Sequence, residues 1–124
     1  MLKYLPVLPL FLGILVPAAA ASEIEDAATA LCEKVKACSM AHIAEADLTP
    51  EVRQMMEPML RNMCETMRAG VREVPSGHQL YQPSVDCMRS MAGLGCQDFE
   101  DEQKLQTQAC KDYQRLAEQA AAGN

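Results

Sequence analysis

The chain reads as an all-α protein: a small disulfide-stapled bundle of about four helices, arranged as two αα-hairpins. Three observations predict this. Apolar residues recur at helical spacing almost throughout, and period-two alternation of β-branched residues is absent. Helix-start signals and acid-before-base charge order mark successive apolar runs. Six cysteines (Cys32, Cys38, Cys64, Cys87, Cys96 and Cys110) occupy one stretch of a 124-residue chain, an even set of the kind that staples small exported domains.

Residues 1–21 read as a secretory signal peptide rather than as part of the fold. Lys3 is the only basic residue, an uncharged apolar run follows from Tyr4 to Val16, and small residues end in Ala19, Ala20 and Ala21. That is the order of a basic tip, an apolar centre and an Ala-x-Ala cleavage site. The run is too short to span a bilayer, which takes ~20 apolar residues. Residues 22–124 are therefore expected to form a single helical domain with no membrane span after cleavage. The protein is expected to be exported: periplasmic in a Gram-negative bacterium, secreted otherwise. The formal net charge is −6, and removing Lys3 gives −6 − 1 = −7. Such a chain lacks the cations that neutralise phosphates, which argues against nucleic acid and anionic membrane surfaces as partners.

The first helix is predicted over Glu23–Glu45. Ser22 and Glu25 have the form of a capping box, Glu23, Glu25 and Asp26 suit the positive end of the helix dipole, and Lys34 and Lys36 follow later. Ile24, Ala27, Ala28, Leu31, Val35 and Cys38 share one side, with His42 in line and expected to be buried or half-buried. The second helix starts at Thr49 as N-cap, Pro50 in the first turn and Glu51. It is predicted to end near Gly70, with a kink or break at Pro58. Residues 70–78 form a loop that leaves His78 in solvent. The third helix runs from about Gln79 to Ala92 with Leu80, Cys87, Met88 and Met91 on one side. The fourth runs from about Asp98 to Ala121, with Phe99, Cys110, Tyr113, Ala117 and Ala120 on one face. Its "DFEDE" start lacks the ligand spacing and glycine of an EF-hand loop and is read as a dipole-matched helix start.

Cysteine spacing fits disulfides better than a metal, because no C-x-x-C occurs. With the first turn centred on Leu48, Cys32 and Cys64 stand sixteen residues to either side, facing each other in an antiparallel hairpin. Cys32 and Cys38 cannot pair within one helix, since six residues separate their Cα atoms by ~9 Å along the axis. Spacing thus gives Cys32–Cys64 and sends Cys38 to the second half of the chain, without fixing its partner there; Cys38–Cys96 with Cys87–Cys110 is the preferred completion, which ties both hairpins together and offsets a core with no Trp and two Phe.

The one unusual stretch is "MMEPMLRNMCETM", residues 55–67, with five methionines. Met55, Met59, Met63 and Met67 recur every four residues, about 40° apart round the helix. Thioethers suit soft ions, so a soft-metal site for Cu(I) or Ag(I) is one functional reading. An apolar groove for a hydrophobic ligand or protein partner is another, since flexible Met side chains adapt to varied surfaces. The helical wheel favours a third: Val52, Met56, Leu60, Cys64 and Val71 share that half while charges hold the other, which predicts a buried, core-forming face. His42 and Glu45 lie three apart, but a di-metal bundle needs several carboxylates and a second histidine projecting inward, and no such set appears. No G-x-S-x-G, H-E-x-x-H or Gly-rich phosphate loop occurs, so neither catalysis nor a cofactor is expected. The chain is thus expected to be a non-enzymatic binding or interaction module, with the soft-metal protein as its alternative.

Overall fold

The computed structural model describes residues 22–45 and 49–123. The leader-like segment and the turn around Leu48 lie outside the described residues, which contain helices and no strand.

Helix α1 spans Glu23–Glu45 and begins with three acids in its first turn. Ser22 caps it twice: its hydroxyl accepts the Glu25 N–H at 3.3 Å and its carbonyl accepts the Asp26 N–H at 3.0 Å. Helix α2 spans Pro50–Arg72, and the Thr49 side chain accepts the Val52 N–H at 3.4 Å. It runs unbroken through Pro58. Pro58 and Gln54 are both exposed, so water can serve the carbonyl that the proline leaves without a donor. Gly70 does not stop the helix either. Val71 packs against the core and Arg72 Nε bonds Glu25 Oε1 at 2.9 Å, so tertiary contacts carry α2 past the expected end.

The connection that follows is tightened by the His78 ring, whose Nδ1 accepts the Leu80 N–H at 3.1 Å. Helix α3 then spans Tyr81–Ala92, starting two residues later than its sequence pattern suggests. The single fourth helix expected from Asp98 to Ala121 is instead three pieces: a 3-10 segment Cys96–Glu100, a short α4 Glu102–Leu105, and α5 Gln108–Ala122. Two internal caps divide it. Asp101 accepts the Gln103 N–H at 2.9 Å, and Thr107 Oγ1 accepts the Cys110 N–H at 3.2 Å.

Packing centres on the seam between α1 and α3. Ile24, Ala27, Ala28 and Leu31 meet Tyr81, Val85 and Met88, all buried. Alanines at the contact let the helices approach closely, and Ala28 and Val85 have no exposed surface. The Tyr81 hydroxyl accepts the Ile24 N–H at 3.1 Å. That bond satisfies one of the four donors a helix start leaves without intrahelical partners. Arg89 adds an ion pair to Glu23 at 2.9 Å. Helix α2 packs on α1 and α5 packs on α3.

Three disulfides join these units. Cys32–Cys64 links α1 to α2, Cys38–Cys96 links α1 to the 3-10 segment, and Cys87–Cys110 links α3 to α5. Beside the last, the Ser90 and Thr107 hydroxyls share a hydrogen bond at 2.7 Å.

Val85→Ala should therefore lower unfolding free energy by about 2 kcal/mol, from two lost methyl groups and the cavity they leave. Met59→Ser should change it by less than about 0.5 kcal/mol, as surface substitutions do. Urea titrations of the two variants against the unaltered protein check both values.

Candidate functional site

The methionine row is not core. Met55, Met59 and Met63 are 73%, 59% and 45% exposed, whereas Leu60 and Cys64 are buried. The expectation of a buried half-face fails because it assumes neighbours on both sides of α2, and α2 lies principally against α1. One neighbour covers one stripe: Leu60 and Cys64, with Met56, Met67 and Val71 partly covered. The four-residue row is accordingly split. Met55, Met59 and Met63 stand together outside, and Met67 turns in against the core cluster.

Around the exposed three, α2 carries no charge over a strip about 100° wide. Val52, Met55, Met59, Asn62, Met63, Thr66 and Gly70 fall within it. Large side chains occupy its N-terminal half and small ones its C-terminal half. A side chain at Gly70 would meet nothing within 4 Å. The charged residues Glu57, Arg61, Glu65 and Arg68 fall outside the strip. The result is a flexible apolar ridge flanked by solvated charge.

A second feature lies at the other end of α1 from its cap. Val35, Ile43, Met56, Phe99 and the Cys38–Cys96 bridge surround an open cavity of about 390 Å³, with Ser39, His42 and Glu100 also lining it. A more polar cleft of about 260 Å³ shares Cys38, His42, Cys96 and Glu100 and adds Ala41 and Gln97. The side of α1 that α3 covers earlier in the helix here faces open space. His42 is thus exposed at the junction of the two hollows rather than buried as the sequence pattern suggests, and Ile43, one position round toward α2, is buried instead. His78 is exposed, as expected.

Asp98 fixes the wall of this cavity. Its carboxylate accepts the Gly95 N–H at 2.9 Å and pairs with Lys104 at 3.1 Å. The backbone bond first, and the lysine second, hold its pKa below the ordinary carboxylate value. Among the described residues no cluster of three or more His, Cys, Asp or Glu could hold a metal ion, and no helix is long and apolar enough to cross a membrane. No protein-family model, curated protein or solved structure matches the chain.

Sequence reasoning singled out the methionines but not the cavity. Its residues come from three separated segments, and nothing local marks Val35, Met56 and Phe99 as neighbours.

Brief treatment of the folded protein with dilute peroxide should convert Met55, Met59 and Met63 to sulfoxides well before the buried Met88. Peptide mass mapping reads the order, and equal rates for Met59 and Met88 would contradict the exposure described. Acidification should release Asp98 from Gly95. Because the folded pKa is lowered, the contribution is present above the unfolded carboxylate pKa and lost as pH falls through the folded one. An NMR titration should place the Asp98 midpoint below that of ordinary aspartates, with Gly95 amide protection falling in step.

Proposed function

We propose that the protein is an exported, non-enzymatic binding module that uses the outer ridge of α2 to hold an apolar protein partner. One observation carries the reading: Met55, Met59 and Met63 are exposed side by side on a charge-free helix face. Solvent-facing apolar residues that form a contiguous strip mark interaction sites more often than isolated ones do. Methionine suits the task because its unbranched thioether chain repacks against differently shaped surfaces. The complementary shape is an amphipathic helix laid along the strip, with anchors at helical spacing. The leader-like N-terminus and three disulfides support export, to the periplasm if the host is Gram-negative. The pairing of all six cysteines and the scatter of acids and bases over helix exteriors support a binding role over catalysis.

The accessible thioethers also favour a soft-metal reading, in which Met55, Met59 and Met63 take Cu(I) or Ag(I) and Met67 stands too far inward to join. Two variants separate the readings. A leucine-rich amphipathic 18-residue peptide should bind the unaltered protein, and the Met55→Ser, Met59→Ser, Met63→Ser variant should lose at least tenfold in affinity without a change in Tm. The corresponding triple Leu variant keeps an apolar surface and should retain most of the peptide affinity. Anaerobic Cu(I) titration against a chelator should fail to distinguish the Leu variant from the unaltered protein. Loss of Cu(I) affinity in the Leu variant, with peptide binding absent throughout, would favour the metal reading instead.

A further inference from the structure

We propose that the cavity at the Cys38–Cys96 end of the bundle is a binding site for a small apolar amine, separate from the α2 ridge. Its size is the first argument. About 390 Å³ lies within the range of small-molecule sites. Polarity is the second. Val35, Ile43, Met56, Phe99 and the disulfide make apolar walls, and the polar cleft adjoining them begins where His42 and Glu100 stand. A ligand that fills both has an apolar body and one polar end.

Charge decides what that end is. Glu100 is the one carboxylate among the described lining residues, no Lys or Arg lines either hollow, and Glu100 takes part in no ion pair among the described residues. An anionic head would meet this carboxylate and a chain of net negative charge. A protonated amine would meet a free counter-charge, with the Phe99 ring available to a cation near its face. His42 and the Ser39 hydroxyl offer further hydrogen-bond partners to the ammonium group.

The disulfide has a second consequence here. Cys38–Cys96 forms part of the wall and covalently fixes the 3-10 segment, with its Phe99 and Glu100, against α1. Reducing that one bridge should open the site while the α1–α3 seam and the other two bridges persist.

Methyl NMR with 4-phenylbutylamine as the probe, and 4-phenylbutanol and 4-phenylbutyrate as charge controls, tests the proposal. The amine should shift the Met56, Ile43 and Val35 methyls saturably and leave Met55 and Met59 unmoved. The carboxylate should bind at least tenfold more weakly, with the alcohol between. Glu100→Gln, at an exposed position, should weaken the amine three- to tenfold and remove its advantage over the alcohol. The Cys38→Ser, Cys96→Ser double variant should lose amine binding while keeping its helical circular dichroism. Equal binding of amine and carboxylate, an unchanged Glu100→Gln variant, shifts confined to the α2 ridge, or no saturation at millimolar amine would each overturn the proposal. Peptide binding by the ridge is read separately, from the triple Ser and triple Leu variants.

Discussion

The contact between α1 and α3 is where the helices lose all solvent, and it rests on small side chains. Ala27 and Ala28 bring the α1 backbone close enough for Val85 to be sealed between the helices, and Ile24, Leu31, Tyr81 and Met88 close round it. The Tyr81 hydroxyl fits the same seam because it ends on the Ile24 N–H, a donor that would otherwise be buried at a helix start without a partner. Removing that hydroxyl would leave the donor unsatisfied, so the aromatic ring and the helix cap stand or fall together. Everything else is attached to this pair. Helix α2 packs on α1, with Met67 and Val71 reaching the shared core, and α5 packs on α3.

Outer helices of a thin bundle bury one stripe each, and a stripe of alanines, a leucine and a few methionines is weak holding material. The disulfides sit where that weakness is greatest: one bridge fastens α2, one fastens α5, and one fastens the 3-10 segment. Each closes a long stretch of chain, 32, 58 and 23 residues, and such bridges contribute about 2–4 kcal/mol apiece by restricting the unfolded state. The ion pairs Glu25–Arg72 and Glu23–Arg89 add orientation more than stability, since their arginines are largely exposed. With α2 held covalently at Cys64 and packed through Leu60, Met67 and Val71, its outward face at Met55, Met59 and Met63 carries little of the fold. That is the physical reason a row of methionines can face water in a protein with so little apolar material to bury.

Local signals made much of this architecture readable. Ser22 with its acids and the Thr49-Pro50 start define both long helices, and the equal distance of Cys32 and Cys64 from the first turn places them opposite each other in a hairpin. Errors arose where the answer depended on how many neighbours a helix has. A wheel shows that Met55, Met59 and Met63 lie together, but the same wheel describes a buried half-face and a bare ridge. His42 shares the line of Ile24 and Val35, yet that line leaves the cover of α3 before it reaches His42. The broken fourth helix is a different case. Asp101 and Thr107 are both good N-caps, and the signal was present but was outweighed by a continuous apolar period around it. Tyr81 and Val85 lie off the expected third-helix face because that face is centred on Leu80, which is the N-cap of α3 and outside the helix.

The cavity owes its existence to the place where α3 stops, and the ridge to α2 having α1 as its principal neighbour. Up to Val35, α1 is flanked by α2 and α3; beyond it, among the described residues, α2 and the short 3-10 segment flank it, and the space between them is the cavity. Met56 reaches into that space while Met55, the preceding residue, points to water. The two features are therefore neighbours on one helix that face different media, and α2 separates them. A partner on the ridge contacts side chains that carry little of the fold's stability, whereas a ligand in the cavity touches the bridge that fixes the 3-10 segment. Occupation of the cavity would stabilise that segment through binding to the folded state alone, and a partner on the ridge would leave it unaffected. The first site is tied to the redox state of Cys38 and Cys96; the second depends only on α2 remaining fastened to α1 through Cys32 and Cys64.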